Sequence, residues 1–240
     1  MSRRRYLITG ATGGIGRATL SLLLERGDEI IAAGRSLEKL DELARADHPG
    51  ELILKRADLM SADDREALAG CAKDGLDGVI YIAGRNDRAL FGDLDEAHVR
   101  GVFELNFFAP LLLIKALSER LNEGAALIFI SSTLAEKPVP ASAAYSASKA
   151  ALESLSRSLA IEFGSRKIRS LAIAPGLVDT AMLREGRSAD DLEFFASLSP
   201  LERLGEPEEI ASLIVHCLDN AFLTGVTLRA DGGALTGSSR

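Results

Sequence analysis

A glycine-rich turn near the amino terminus most constrains how this 240-residue chain can fold. The sequence TGATGGIG occupies residues 9–16, between a short apolar run at 6–9 and an amphipathic segment at 16–26. That order predicts a strand, a turn and a helix, which present backbone N–H groups and a positive helix end to a pyrophosphate. The turn therefore predicts a dinucleotide site with contacts from Gly10, Thr12, Gly13, Gly14, Ile15 and Gly16.

Short apolar runs alternate with amphipathic segments along the rest of the chain, which is typical of a parallel sheet covered by helices. The predicted strands are 6–9, 30–33, 52–55, 79–82, 127–130, 168–174 and 227–229. The predicted helices are 16–26, 37–46, one opening at Ser61, 96–121, 143–163, a patch near 190–196, and 207–218. We expect an α/β fold: a Rossmann-type doubly wound parallel seven-stranded sheet with helices on both faces, in one domain over residues 1–240.

Composition limits the possible partners. A net charge of −7 and an isoelectric point near 5.1 argue against nucleic acid or an anionic membrane as the main partner. Cys71 and Cys217 lack the spacing of a metal site, and no signal-peptide core follows the arginines at 3–5. We therefore predict a reduced, cytoplasmic protein with no metal site. No apolar run is expected to reach the length that crosses a membrane.

The end of the second predicted strand bears on which dinucleotide is bound. A carboxylate there would accept a hydrogen bond from the 2′-hydroxyl of NAD(H) and repel the 2′-phosphate of NADP(H). This chain has Arg35 and Ser36 in that place and no acid. Because a guanidinium offers a planar set of donors to phosphate, the sequence favours NADP(H), with Arg35 and Ser36 as candidate contacts. Asp58, after the third strand, is a candidate acceptor for the adenine amino group, and a turn or capping role fits it equally.

A second chemical feature is the segment AAYSASKAA at 143–151, which places Tyr145 and Lys149 four residues apart. Residues i and i+4 lie on the same face of a helix. An ammonium beside a phenol stabilises the phenolate, so Lys149 is expected to lower the pKa of Tyr145 and make it a usable proton donor and acceptor. Taken alone, the pair is also consistent with an ordinary solvated helix face.

The combined motifs resemble those of the short-chain dehydrogenase/reductase family, in its compact single-domain branch. They are the turn at 9–16, Asp58-Leu59, Ala83-Gly84, Asn106, Ser131-Ser132, Tyr145-xxx-Lys149, Pro175-Gly176, LGxxEEIA at 204–211 and Asp231-Gly232-Gly233. The turn also fits TGxxGxxG, the pattern of the longer sugar-nucleotide epimerases. That alternative is disfavoured, because only short segments follow the sixth strand and the Asp-Gly-Gly ending is similar to that of the compact reductases.

The resemblance implies a role for each matching residue. Tyr145 would protonate a carbonyl oxygen, and Ser132 would hydrogen-bond that substrate oxygen. Lys149 would lower the pKa of Tyr145 and bind the nicotinamide ribose. Asn106 would hold a water that links Lys149 to solvent. The further implied cofactor contacts are Leu59, Ala83, Gly84, Pro175, Gly176, Val178 and Thr180.

Some of these roles have structural alternatives. Ser132 would only cap a loop, or Ser131 would face the site in its place; Asn106 would only bend its helix, and Thr180 would cap a helix. The chain also departs from the family at one place, since Tyr81-Ile82-Ala83-Gly84 stands where Asn-Asn-Ala-Gly is usual. The departure puts in doubt the side-chain hydrogen bonds that usually tie the fourth strand to its neighbours.

The expected substrate is a small carbonyl compound or alcohol, bound outside the carboxyl ends of the strands. The candidate walls are 85–92, 134–142 and 177–198, the last within a lid at about 177–204 with an apolar inner face. The expected activity is that of an NADP(H)-dependent carbonyl reductase or alcohol dehydrogenase. The alternatives are a 3-oxoacyl-[acyl-carrier-protein] reductase and a non-catalytic NADP-sensing regulator. The resemblance further implies a homo-oligomer, a dimer or tetramer, paired through the helices at 96–121 and 143–163.

Overall fold

A computed structural model describes residues 3–45 and 47–236. Within these residues a parallel sheet of seven strands has the order β3-β2-β1-β4-β5-β6-β7. The strands are β1 (Arg5–Thr9), β2 (Glu29–Gly34), β3 (Glu51–Arg56), β4 (Leu76–Tyr81), β5 (Leu121–Ile130), β6 (Arg169–Pro175) and β7 (Thr227–Ala230). The predicted fold class is confirmed.

Helices connect the strands. They are α1 (Gly14–Glu25), α2 (Leu37–Leu43), α3 (Ala62–Gly70), α4 (Glu96–Phe103), α5 (Ala109–Leu117), α6 (Ala143–Glu162), α7 (Ala181–Arg184), α8 (Ala189–Ser197) and α9 (Pro207–Asp219). The helix predicted at 37–46 ends at Leu43, and Ala46 lies outside the described residues. The expectation of a single helical patch in 177–204 is wrong, because α7 precedes α8.

Both faces of the sheet are apolar, as expected for a sheet covered on both sides. Alternate residues along β1 point to opposite faces, so Tyr6 and Ile8 belong to one core cluster and Leu7 to the other. Side chains from α1 and α9 complete the first cluster, and side chains from α3, α5 and α6 complete the second. The sheet is thereby fixed from both sides, with its carboxyl edge left open for a ligand.

Polar side chains mark where several helices begin. The side chains of Ser36, Ser61, Asp95 and Ser188 each accept a hydrogen bond from the backbone N–H three residues later. Each satisfies a helical N–H that has no partner within its own helix. These caps set the points at which the chain turns back after leaving the sheet.

The long helix predicted at 96–121 is interrupted in the middle. A π-helical segment, Glu104–Phe108, separates α4 from α5, and Pro110 lies in the first turn of α5. Because helix precedes it, Pro110 lacks an N–H that would otherwise bond within the helix. The irregularity expected near Asn106 and Pro110 is a π-helical segment that contains Asn106 and ends two residues before Pro110.

The same helical stretch corrects the expectation about membranes. Glu96–Arg120 is a continuous helical run of 25 residues with a mean hydropathy of 1.4, long and apolar enough by composition to cross a membrane. Within the fold, 44% of its most apolar window is buried. Core helices of globular proteins pass the same test, so this finding is weak support for a membrane segment.

Candidate active site at the carboxyl edge of the sheet

The parallel register brings the predicted site residues to one edge. Thr9 of β1 pairs with Ala33 on one side and with Tyr81 on the other, and Ile130 of β5 pairs with Ile173. The chain therefore leaves these strands at a similar level. The strand order reverses between β1 and β4, which is where ligands bind in open α/β sheets.

The glycine turn at this edge is shaped by close backbone contacts. Gly10 has a φ of +70°, and a Cβ atom there would lie 2.7 Å from the backbone nitrogen of Ala83. A Cβ atom on Gly16 would lie 2.1 Å from the carbonyl oxygen of Gly10. Both positions therefore require glycine. Gly13 begins α1 without a capping side chain, so the first N–H groups of the helix remain available to a pyrophosphate. These residues fit a dinucleotide.

The start of the 177–204 segment approaches the same turn. A Cβ atom on Gly14 would lie 3.0 Å from Cγ2 of Thr180. The Thr180 hydroxyl accepts a hydrogen bond from the Leu183 N–H at 3.3 Å and donates to the Val178 carbonyl at 3.4 Å. Thr180 thus caps α7, which was the structural alternative to a cofactor contact. It also lies next to the glycine turn.

An exposed cation lies at the adenosine end of the site. Arg35 follows β2, and none of the hydrogen bonds or ion pairs of the described residues involves its guanidinium. Ser36 accepts a hydrogen bond from Lys39 N–H at 3.3 Å and so caps α2. Thr12 lies against β2, where a Cβ atom on Gly34 would be 3.2 Å from its methyl group. The guanidinium of Arg35 therefore offers its donors to solvent or to a phosphate.

The residues predicted near the adenine are organised by local hydrogen bonds. Asp58 is exposed, and its carboxylate accepts from the Met60 N–H at 3.0 Å. The Asp64 carboxylate accepts a hydrogen bond from the Asp58 N–H at 2.7 Å. Leu59 is buried. Asp58 therefore has a turn role, and its second carboxylate oxygen has no hydrogen bond within the described chain.

Tyr145 is buried on α6, with 9% of its surface exposed. Burial raises the pKa of its hydroxyl, and the nearby Ser132 hydroxyl lowers that pKa by a smaller amount. Ser132 also accepts a hydrogen bond from the Leu134 N–H at 3.1 Å and so caps the short helix after β5. The expectation that Lys149 lowers the pKa of Tyr145 below its ordinary value is wrong for this geometry, because desolvation of the phenolate has the larger effect.

Lys149 lies one turn further along α6 and is also buried. Its Nζ is 5.8 Å from the centre of the Tyr145 ring and donates to the Ile130 carbonyl at 2.6 Å. Burial lowers the pKa of this ammonium to about 8, and the charge of Glu153 raises it in part. Lys149 therefore joins α6 to the end of β5 and is positioned to titrate close to neutral pH.

Asn106 is fully buried in the π-helical segment. Its side chain accepts from the Arg85 N–H at 3.0 Å and donates to the Arg85 carbonyl and to Ser148 Oγ, each at 3.0 Å. Ser148 in turn donates to the Tyr145 carbonyl at 2.7 Å. Asn106 thus connects the segment after β4 to the helix that carries Tyr145.

Gly84 keeps this region open. A Cβ atom on Gly84 would lie 3.2 Å from Asn106 Oδ1 and 3.4 Å from Lys149 Nζ. Both polar atoms therefore border the same small space. Tyr145, Lys149, Ser132, Asn106 and Gly84 form one cluster next to the glycine turn.

Two of the three candidate substrate walls contact each other. Arg88 donates to the Pro140 carbonyl at 2.8 Å, and the Ala89 N–H donates to the Ala141 carbonyl at 3.2 Å. Arg85 is paired with Asp87. Beneath the third wall lies a cavity of about 160 Å³ lined by Leu177, Phe195 and Leu201 on its apolar side. Leu177 and Phe195 thus line this cavity, whereas Met182, Phe194 and Leu198 of the same segment are exposed.

Sequence reasoning missed three contributors to the cluster. Tyr81 donates to the Leu105 carbonyl at 2.9 Å, Ser148 bridges Asn106 and Tyr145, and Glu153 accepts from Ser131 at 2.7 Å. Ser148 and Glu153 share the helix of Tyr145 and Lys149, so helical spacing would have placed Glu153 on their face. The sequence carries no comparable signal for the partner of Tyr81.

Comparisons with known proteins agree with this geometry. The profile of a family described as Enoyl-(Acyl carrier protein) reductase matches residues 10–235. Cis-4-hydroxycyclohexanecarboxylate dehydrogenase of Sinomonas cyclohexanicum is 35% identical, with 97% of this chain and 96% of that protein covered. Carbonyl reductase family member 4 of Danio rerio is 33% identical, covering 96% of this chain and 97% of its own length.

A solved structure has the same fold as this chain. The short-chain dehydrogenase/reductase structure from Brucella melitensis, described as SDR:Glucose/ribitol dehydrogenase, has a TM-score of 0.91 and 30% identity, covering 96% of each chain. These relatives are oxidoreductases of alcohol and carbonyl groups, and they match this chain over nearly its whole length. The chain belongs to the short-chain dehydrogenase/reductase family of oxidoreductases.

Proposed function

We propose that this protein is an NADP(H)-dependent oxidoreductase that reduces a ketone or aldehyde, or oxidises the corresponding alcohol, with Tyr145 as general acid and base. One observation carries the proposal: Lys149 Nζ lies 5.8 Å from the ring centre of Tyr145, both residues are buried, and the Ser132 hydroxyl is near enough to lower the pKa of Tyr145. Such a pair of hydroxyls can hold one carbonyl oxygen and deliver a proton to it.

The chain's residues divide the work of the reaction. NADPH, when bound along the glycine turn, would supply the hydride to the carbonyl carbon. Tyr145 gives its proton to the carbonyl oxygen while Ser132 donates a hydrogen bond to that oxygen. The phenolate that remains on Tyr145 is stabilised by the Lys149 ammonium, and a proton from solvent restores it. Proton transfer from a positioned acid contributes roughly 10²- to 10⁴-fold to the rate.

Arg35 supports the choice of NADP(H). Its guanidinium is exposed at the end of β2, has no partner in the described chain, and stands where an acid would favour NAD(H). We propose the other cofactor contacts as the sequence predicts them. Asp58 remains the proposed acceptor for the adenine amino group, through the carboxylate oxygen that does not accept from the Met60 N–H.

The names of the relatives support the substrate class. One is a carbonyl reductase and another a dehydrogenase of a cyclohexane hydroxy acid. We propose a small, mostly apolar carbonyl compound or alcohol as substrate, covered by residues 177–204 acting as a lid. We further propose a single domain, acting in the cytoplasm as a homo-oligomer, with no nucleic-acid or membrane partner.

A second candidate function is reduction of a 3-oxoacyl group on an acyl carrier protein. It is favoured by one observation, the match to a family described as Enoyl-(Acyl carrier protein) reductase, whose name gives the acyl carrier protein and not the 3-oxo group. The two candidates differ in substrate and share the chemistry of Tyr145. Reduction of an acetoacetyl thioester with much poorer use of simple ketones would favour the second.

The test is a screen of NADPH oxidation across ketones, quinones, steroids, sugars and acyl thioesters, with NADH in parallel. We expect oxidation of NADPH with at least one carbonyl class and slower reaction with NADH. NADPH binding without turnover of any carbonyl or alcohol would contradict the proposal and favour a non-catalytic NADP-sensing regulator.

A further inference from the structure

Three consecutive residues at the end of β5 each contact α6. The Ile130 carbonyl accepts from Lys149 Nζ at 2.6 Å, the Ser131 hydroxyl donates to Glu153 Oε1 at 2.7 Å, and the Ser132 hydroxyl is near enough to Tyr145 to lower the pKa of the phenol. The partners on α6 are spaced four residues apart and so lie on one face of the helix. Two hydrogen bonds therefore join the strand end to the helix just before Ser132.

The contact between Ser131 and Glu153 is protected from water. Ser131 is 3% exposed and the Glu153 side chain 17% exposed. A hydrogen bond from a hydroxyl to a carboxylate is among the stronger ones in proteins, and burial increases its electrostatic part. Because Ser131 lies between Ile130 and Ser132, a bond that fixes Ser131 also restricts the backbone of both neighbours.

The carboxylate of Glu153 also acts on Lys149 through its charge. Burial alone would move the Lys149 ammonium towards its neutral form, and the negative charge of Glu153 opposes this. Charged groups on elements near Lys149 include Arg157, which lies 4.0 Å from Glu153 on α6, Arg85 and Asp87 after β4, and Glu104 in the π-helical segment. Arg85 pairs with Asp87, and Glu104 lies 3.9 Å from Arg65.

We propose that Glu153 is a positioning residue of the active site: through Ser131 it holds the end of β5 so that the Ile130 carbonyl stays under Lys149 and the Ser132 hydroxyl stays beside Tyr145. This inference rests on the proposed function for the roles of Tyr145 and Lys149. Glu153 itself does not touch substrate or cofactor. Its effect on the reaction is exerted through Lys149 and Ser132.

Three variants separate the hydrogen bond from the charge. Glu153→Gln keeps an oxygen that can accept from Ser131 and removes the charge, Glu153→Ala removes both, and Ser131→Ala removes the hydrogen bond and keeps the charge. Glu162→Gln, at the exposed end of α6, is the matched control for loss of a carboxylate on this helix. Thermal unfolding of each protein identifies any variant that does not fold.

For the reductive reaction we expect Glu153→Ala and Ser131→Ala to lower kcat by about tenfold or more, because misplacing catalytic groups by about 1 Å has effects of this size. Glu153→Gln should recover kcat to within about threefold of the parent at its optimum. The alkaline limb of the kcat–pH profile of Glu153→Gln should move to lower pH by about half a unit, since the Lys149 ammonium loses a nearby opposite charge. Glu162→Gln should change neither kcat nor the alkaline limb of its pH profile.

Crystal structures of Glu153→Ala and Glu153→Gln provide a readout that does not depend on turnover. We expect the distance from Lys149 Nζ to the Ile130 carbonyl to exceed hydrogen-bonding range in the alanine variant and to be kept in the glutamine variant. A folded Glu153→Ala protein with an unchanged distance and parental kcat would overturn the inference, and so would a Glu153→Gln protein as impaired as Glu153→Ala. Failure of the parent protein to reduce any carbonyl would instead contradict the proposed function, and the two structures would still decide the role of Glu153.

Discussion

The Tyr81 hydroxyl donates a hydrogen bond to the Leu105 carbonyl at 2.9 Å, which joins the end of β4 to the π-helical segment that holds Asn106. Both residues are buried, so this carbonyl needs a partner within the protein. Burial raises the pKa of the Tyr81 hydroxyl well above its ordinary value, so the hydroxyl remains a neutral donor. Tyr81 stands where the family usually has asparagine, and it supplies a hydrogen bond of its own between these elements.

The first prediction concerns this hydrogen bond. Tyr81→Phe keeps the ring and leaves the Leu105 carbonyl buried without its donor, which we expect to lower the free energy of unfolding by about 1–3 kcal/mol. Urea denaturation monitored by circular dichroism measures the change. An unchanged midpoint would show that water or a shifted backbone replaces the hydroxyl.

The second prediction concerns the proton donor. Tyr145→Phe should lower kcat by about 10²-fold or more, because the carbonyl oxygen loses its acid. NADPH affinity should remain nearly intact, since Lys149 and the glycine turn are unaltered. Turnover with the preferred carbonyl and fluorescence titration with NADPH measure the two effects. Full activity in the phenylalanine variant would refute the mechanism.

The third prediction concerns cofactor choice. Arg35→Ala should weaken NADPH binding by about tenfold or more, because a charge-assisted contact to phosphate is lost, and should change NADH binding little. Lys115→Ala, an exposed cation on α5, is the matched control for net charge. Both dissociation constants are measured by fluorescence titration. Equal losses for NADPH and NADH would contradict the assignment of Arg35 to the 2′-phosphate.

Most of the fold was predictable because its signals are local. The glycine turn, the apolar runs and the helix that opens at Ser61 depend on neighbouring residues, and the structure has a strand or helix at each of them, although β5 begins at Leu121, before the predicted 127–130. The helix α7 was missed because it has only four residues and no apolar period to detect. The π-helical segment was recognised only as an irregularity, since its geometry depends on tertiary hydrogen bonds such as that from Tyr81.

The site was predictable where the spacing of its residues along the sequence identifies them. Tyr145, Lys149 and Ser132 fall into one cluster, as their spacing and family resemblance implied. The sign of the pKa shift on Tyr145 was not predictable, because it depends on how far the fold removes the phenol from water. A sequence shows that an ammonium is near and does not show the desolvation that opposes it.

The fourth prediction uses two glycines that differ only in their surroundings. Gly16→Ala would place a Cβ atom 2.1 Å from the Gly10 carbonyl oxygen, and both are backbone positions fixed by the turn. We expect a loss of about 2 kcal/mol or more in the free energy of unfolding, together with loss of NADPH binding. The control is Gly70→Ala at the end of α3, where an added Cβ atom would meet no atom within 4 Å. It should be neutral or stabilise by up to about 1 kcal/mol. Equal effects of the two substitutions would contradict the close contact in the turn.

The fifth prediction concerns the pH dependence contributed by Lys149. Its pKa falls from 10.5, the ordinary value expected in the unfolded chain, to about 8 in the fold. Between these values the unfolded state binds one proton more than the native state, so this residue makes the free energy of unfolding rise with pH; below pH 8 its destabilising effect is constant. Lys149→Met removes this dependence while keeping most of the side-chain volume. The free energy of unfolding of the methionine variant relative to the parent should therefore fall by about 2–3 kcal/mol between pH 7 and pH 10. Urea unfolding of both proteins across this range measures the difference, in which the other titrating groups largely cancel. A difference that stays constant with pH would mean that the native ammonium is solvated, in conflict with its burial beneath Tyr145 and against Ile130.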